Sequence, residues 1–261
     1  MAFRTKRLLR VLFDRTLAKR GYALKRTGGE YIDAKSTIAA AKAAGISIHE
    51  YIYRAASAEK RGRTDRIVQR IGALFKSGCE ISVAEIGTGT GMYLERLCSV
   101  MNCTAYHVFE TDPGWQTYAR QVLAKQTKCV VHKCDGTTLK ELEDRSVDLV
   151  HAHGVFVYTP SLVTLGYLSE AARILKIGGK LCFDCYLDST FGRSEIGKWM
   201  ASEHRFPIIT SSKVLFDHLA WTNLKVMSRF REVHGPDYVD YLVCERTLPP
   251  SSASHRGSDL K

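Results

Sequence analysis

The residues best suited to chemistry begin at position 81. Residues 81–91 read Ile-Ser-Val-Ala-Glu-Ile-Gly-Thr-Gly-Thr-Gly, an apolar run that breaks into three alternating glycines. This pattern predicts a buried strand, a tight turn and the start of a helix, because glycine accepts positive φ and lets a ligand lie close to the backbone. Gly87 and Gly89 suit the dinucleotide pattern G-x-G-x-x-G, but Gly91 falls one position too early for its third glycine. Carboxylates recur where the apolar runs end: Glu85 in the first, Glu110 after 104–109, and Asp135, followed by Gly136, after 129–133. In an open α/β sheet those strand ends border the ligand crevice. His151 and His153 flank Ala152 and so share one face of a strand or its end. A neutral imidazole there can take a proton from a hydroxyl, with Asp184, near the end of the run 180–186, as a second candidate base. The plainer readings are a hydrogen-bonded core histidine, and carboxylates that cap helices or face solvent.

Two other spacings fail on geometry. Cys182 and Cys185 have C-x-x-C spacing, but positions three apart on a strand point to opposite faces, so their sulfurs cannot share a metal. His49-Glu50 opens like a zinc-protease motif, yet Tyr53 stands where the second histidine belongs. No metal ligand is assigned.

With Glu85 before it, the glycine turn resembles the first motif of class I S-adenosylmethionine (SAM) methyltransferases, and the likeness continues in order through residue 186. Glu110 matches the acidic end of the second strand, Asp135-Gly136 the turn after the third, residues 147–154 the fourth-strand motif, and 173–180 the helix, turn and fifth strand. The resemblance implies an α/β, Rossmann-like fold: a mostly parallel seven-stranded sheet with a terminal antiparallel pair, plus an N-terminal helical extension. It implies that Gly87, Thr88, Gly89 and Gly91 let the methionine part of SAM lie along the backbone. Glu110 would accept both ribose hydroxyls, Asp135 with Gly136 would meet the adenine amino group, the backbone around His153 would touch the methionyl end, and Glu85 would orient the ammonium. S-adenosylhomocysteine would be the product. His153 is the candidate base, and Tyr158 stands where related enzymes often place a substrate-facing histidine or aromatic residue.

The whole pattern is similar to the type 11 group of bacterial methyltransferases, and more narrowly to members in surface-polysaccharide and other small-molecule pathways. The expected activity is O-methylation of a sugar or other small hydroxylated acceptor, a lipid-linked one included. Two alternatives stay open: RNA methylation through a basic N-terminal region, and a protein that holds SAM or S-adenosylhomocysteine without catalysis. The fourth strand does not run into the Asp-Pro-Pro-Tyr type of turn used by many nucleic-acid amino methyltransferases. Nor does any Pro-Cys dipeptide occur, as the RNA pyrimidine-carbon enzymes use.

These side chains need elements to hold them. Strands are expected at 81–86, 104–110, 129–133, 147–153 and 180–186, with helices at 92–101, 114–125 and 161–175 between them. That alternation argues for a parallel sheet covered on both faces. Helices at 193–203 and 211–220 follow, joined by 206–209, and then two strands at 224–231 and 237–246. Ahead of the first strand, helices are expected at 38–44, 47–56 and 63–75, with Ser47 and Glu50 in capping-box positions. By analogy with class I methyltransferases these cover the cleft, and Tyr51, Tyr53 and Arg54 are candidates to line it.

Before residue 77 the chain has 18 Lys and Arg against 6 Asp and Glu; after it, 20 against 21. The net charge of +11 therefore comes from residues 1–76, read as a basic helical extension ahead of a SAM-binding domain at 77–248 and a polar tail at 249–261. Leu8, Leu9, Leu12, Phe13 and Leu17 recur at helical spacing among Arg7, Arg10, Arg15 and Lys19. Such a helix suits an anionic membrane surface, nucleic acid, or packing on its own domain. No run is long enough to span a membrane, and charges within 8–17 argue against a signal peptide. Eight cysteines scattered among apolar runs fit free thiols. The expected location is the cytoplasm, peripheral at the membrane if the first helix binds lipid.

Overall fold

The computed structural model describes residues 33–56, 62–126, 129–132, 134–202, 204 and 206–249; the expected amphipathic helix at 4–19 and the tail beyond 249 lie outside them. The strands are β1 (Glu80–Ile86), β2 (Asn102–Phe109), β3 (Cys129–His132), β4 (Val147–Ala152), β5 (Leu175–Leu187), β6 (Ile209–Thr210), β7 (Leu224–His234) and β8 (Asp237–Arg246). Seven of them form one sheet in the order β3-β2-β1-β4-β5-β8-β7. β1 to β5 run parallel, and β8 lies antiparallel between β5 and β7. This is the Rossmann-like class I methyltransferase architecture, its terminal antiparallel pair included. The order reverses between β1 and β4, which opens a crevice beyond their carboxyl ends.

Hydrophobic alternation along the strands builds two cores. Ala84, Val150, Leu181 and Phe183 face one side with Leu168 and Ala171 of α6 (Ser161–Ile174) and Leu215 and Leu219 of α8 (Ser212–Trp221). Val83, Leu149, Cys182 and Tyr241 face the other, with Leu94 and Leu97 of α4 (Met92–Val100) and Ile67, Val68 and Ile71 of α3 (Arg63–Gly72). Cys182 and Cys185 fall in opposite cores, as the strand period requires. No helix among the described residues is long and apolar enough to cross a membrane.

Some boundaries depart from the expected ones. β5 starts at Leu175 rather than 180, because α6 runs straight into a segment whose first residue pairs with Val147. The Gly178-Gly179 pair reads as a turn in sequence but lies inside this strand. The helix expected at 114–125 is α5 (Pro113–Tyr118), continued by a π turn over Ala119–Leu123 and a short piece, Ala124–Gln126. β6, two residues long and paired with Tyr186 and Leu187, sits in the expected linker; so short a strand has no period to read.

The elements ahead of β1 pack on the sheet's carboxyl edge and on its far strands. Asp33 caps α1 (Ala34–Ala44) by accepting from Ser36 N at 2.7 Å, and Ser47 caps α2 (Ile48–Ala55) by accepting from Glu50 N at 3.0 Å. α3 docks on β7 with three arginines at helical spacing. Arg63 donates to the Val233 carbonyl at 3.0 Å, Arg66 pairs with Glu232 at 2.6 Å, and the Arg70 guanidinium lies 4.4 Å from the Phe230 ring centre. Part of the basic charge ahead of residue 77 is therefore used inside the fold. After β5, α7 (Arg193–Ala201) buries Trp199 beside Gly235.

Candidate active site

The turn between β1 and α4 carries Gly87 at φ 71°, Gly89 at φ 50° and Gly91 at φ 79°. A Cβ on Gly87 would come within 2.4 Å of Val155, and one on Gly91 within 2.5 Å of Leu123. Those two glycines seat the turn between its neighbours. At Gly89 a Cβ would meet nothing within 4 Å, so the backbone there faces open space against which a ligand can lie.

Glu85 points inward, 2% exposed. Its Oε2 accepts from Thr88 Oγ1 at 2.7 Å and from the Tyr106 hydroxyl at 3.2 Å, and the Tyr106 oxygen lies 2.6 Å from His151 Nε2. Tyr106 has one proton to give, so when it donates to ionised Glu85, His151 Nε2 must donate to the Tyr106 oxygen. Burial pushes Glu85 up to about 7, against the pull of its two hydrogen bonds, and pushes His151 down to about 3. His151 is thus neutral, and a cationic group arriving beside Glu85 would favour its carboxylate, the proton leaving to solvent.

Glu110 lies just past β2. Its Oε2 accepts from Gly89 N at 2.8 Å, and its Oε1 from Thr111 N at 2.7 Å and Asp112 N at 2.9 Å. Burial raises its pKa while these three donors oppose the rise. A carboxylate offers about four acceptor positions, so three are filled by backbone and one is left. Accepting two ribose hydroxyls there requires the Gly89 bond to open or to be shared.

Asp135 has its oxygens engaged in its own turn. Oδ1 accepts from Thr137 N at 2.9 Å and Thr138 N at 2.8 Å, and Oδ2 from Thr138 Oγ1 at 2.7 Å. The bonds from Thr138 and Thr137 hold this carboxyl well below the usual range. In this structure Asp135 is a turn cap, with Gly136 next to it at φ 83°.

β4 ends at Ala152, and His153 opens the bend that follows. Its ring stacks on Tyr93 at 3.9 Å between centres, with His151 at 5.0 Å and Tyr241 at 5.6 Å. Both ring nitrogens of His153 and the hydroxyls of Tyr93 and Tyr241 are buried without a hydrogen-bond partner. Such atoms each cost about 1–3 kcal/mol, so a cluster of four calls for a ligand or water. Burial, helped by nearby His151 and Arg63, holds His153 well below its ordinary pKa, so it too is neutral.

Asp184 is fully buried, and both its oxygens accept from Gly154 N, at 2.9 and 3.0 Å. Burial lifts its pKa to about 6 against the pull of Arg63 and of the Gly154 bond. It holds the backbone next to His153 in place. Tyr158 donates its N–H to the Val155 carbonyl at 3.0 Å, and its ring lies 5.7 Å from that of His234. His234 in turn meets the Tyr186 hydroxyl at 2.9 Å, which sets Tyr158 toward the β5–β7 side of the crevice.

One contact at the site gives no sign in sequence. His49 Nε2 donates to the Thr90 carbonyl at 2.9 Å while its Nδ1 lies 2.9 Å from Glu95 Oε2. α2 is thereby latched onto the glycine turn and the first turn of α4. Of the residues proposed to line the cleft from α2, Tyr53 is 40% exposed and Arg54 pairs with Glu50 at 2.6 Å on the outer surface; Tyr51 is half-buried.

A family model described as "Methyltransferase domain", of the type 11 group, matches residues 84–183. No curated protein sequence matches the chain. Among solved structures, a chain from the Haloferax volcanii complex of the Trm112 methyltransferase activator with a methyltransferase is similar over 73% of this chain and 94% of its own, with 17% identity and a TM-score of 0.53. The geranyl diphosphate C-methyltransferase of Streptomyces coelicolor A3(2), crystallised with Mg2+, geranyl diphosphate and S-adenosylhomocysteine, is similar over 70% and 79%, with 12% identity and a TM-score of 0.53. A SAM-dependent methyltransferase from Aquifex aeolicus covers 76% and 98%, with 16% identity and a TM-score of 0.51. Identities this low speak for the fold, while the family match runs through the glycine turn, Glu110 and His153. The open backbone at Gly89, the buried Glu110 and the poised Glu85 fit a ligand carrying ribose hydroxyls and an ammonium group. Residues 84–183 match the methyltransferase domain of the type 11 group, and the chain has the class I SAM-dependent methyltransferase fold.

Proposed function

We propose that this enzyme methylates a hydroxyl of a sugar or another small acceptor, a lipid-linked one included. The observation that carries this reading is His153: a neutral imidazole at the carboxyl end of β4, with both nitrogens buried and unpartnered. Bound SAM supplies an electrophilic methyl group on a cationic sulfur. Thr88, the backbone around Gly87 and Gly89, Glu85 and Glu110 hold that ligand, and Gly136 borders its adenine end. His153 takes the proton of the attacking hydroxyl, Asp184 keeps the His153–Gly154 backbone in place, and the aromatic rings of Tyr93 and Tyr241 exclude water. Tyr158, farther out on the loop, meets the body of the acceptor. The eight cysteines, all free thiols, support a reducing cytoplasm as the setting.

Incubation with methyl-labelled SAM and fractionated host extract tests the reading. Label is expected in glycan or lipid-linked fractions. His153→Ala is expected to lower kcat about 100-fold while the Kd for SAM stays within about twofold. Label confined to RNA would favour the nucleic-acid alternative, and no transfer in any fraction a binding protein.

A further inference from the structure

A cation that proton transfer does not use is anchored on β7 and acts on the crevice around His153. Arg63, the first residue of α3, presents five N–H donors in a planar fork, and its hydrogen bond among the described residues is the one to the Val233 carbonyl at 3.0 Å. Arg66 and Arg70, one and two turns on, have Glu232 and Phe230 to meet. Docking of α3 therefore has its own anchors. Asp184, the acidic group whose charge reaches Arg63, turns both oxygens to the single N–H of Gly154 and makes no hydrogen bond to Arg63 among the described residues. Arg63 shares its surroundings with Tyr93, Tyr241 and Tyr186, and its charge is also felt at His153. The hydroxyls of Tyr93 and Tyr241 and the one protonated nitrogen of neutral His153 are further donors in the crevice without a partner.

We propose that Arg63 binds an anionic oxygen group, a carboxylate or a phosphate, on the methyl acceptor, so that the enzyme selects hydroxylated acids or phosphates over neutral polyols. The proposal rests on the reading of this crevice as the acceptor site beside His153. A guanidinium fork matches either anion with two parallel bonds, which fixes the acceptor's orientation as well as its charge. The anion would also offset the cation that helps to hold His153 neutral, and so strengthen the base only when the right acceptor is bound.

The test uses the full-length protein saturated with S-adenosylhomocysteine. Glycerate, glycerol 3-phosphate and glycerol are the probes, and the ring NMR signals of His153 report binding. At least one of the two anions is expected to shift those signals saturably, at about tenfold lower concentration than glycerol or less. The two anions separate carboxylate from phosphate selectivity. Arg63→Gln is expected to abolish the preference while the affinity for S-adenosylhomocysteine stays within about twofold, and Arg63→Lys to restore part of it. Glycerol binding as well as both anions, no saturable response to either anion, or an unchanged preference in Arg63→Gln would each overturn the proposal. If Arg63→Gln does not fold, the wild-type comparison of anions with glycerol decides it. Absence of hydroxyl methylation would remove the role given to His153 and leave an anion preference standing, so the two failures are distinct.

Discussion

Glu85 is a buried carboxyl with a pKa of about 7, held there by desolvation against two hydrogen bonds. The raised value means that ionisation opposes folding, with the penalty growing from about pH 4.5 to about pH 7 and constant above. A ligand ammonium reverses the preference, because it stabilises the carboxylate and lowers the pKa in the complex. SAM affinity is therefore expected to rise about tenfold between pH 6 and pH 8, with proton release seen in calorimetry. Glu85→Gln should flatten that profile, weaken SAM binding at pH 8 and raise the melting temperature of the ligand-free protein. A flat profile in the wild type would remove the proposed contact between Glu85 and the ammonium. The carboxylates and histidines of the site were legible in sequence from their places at strand ends. Their protonation states were not, because those depend on burial and on partners such as Tyr106 and Tyr93, which arrive from other elements.

At the scale of elements, the strands and helices after residue 80 were legible because hydrophobic period and glycine punctuation agree there. The role of α2 was not. His49 reads in sequence as a failed metal motif, yet in the fold its two nitrogens tie α2 to Thr90 and Glu95. Each such bond contributes about 1 kcal/mol, so His49→Ala is expected to weaken SAM binding about tenfold with a change of only a few degrees in melting temperature. Hydrogen exchange should quicken across α2 and the glycine turn. Unchanged exchange at the turn would mean that α2 does not hold it. The arginines of α3 show the same limit: their spacing reads as a basic face, while their partners Val233, Glu232 and Phe230 lie more than 150 residues away in the chain.

For the whole molecule, the two described cores on either side of the sheet are built from side chains between Ile67 and Cys244. Removing residues 1–32 is expected to leave the Kd for SAM within about twofold and to abolish flotation with anionic liposomes. Equal flotation of the shortened and full chains would remove the membrane role of the basic helix. Some of the charge after it, on Arg63, Arg66 and Arg70, is directed onto β7 and the crevice, so the formal +11 overstates what the surface offers a polyanion.

The amino-acid sequence alone determined the class of fold, the glycine turn after β1 and the acidic and imidazole groups at the strand ends. These follow from short-range periods and spacings that any buried strand or tight turn must obey. The tertiary structure decided which of those groups are already engaged, as Asp135 is by its own turn and Asp184 by Gly154. It also brought together His153, Tyr93, Tyr241 and Arg63. Desolvation and hydrogen-bond partnership are properties of packed neighbours, and these four come from separate segments of the chain that meet only when α3 closes over the sheet.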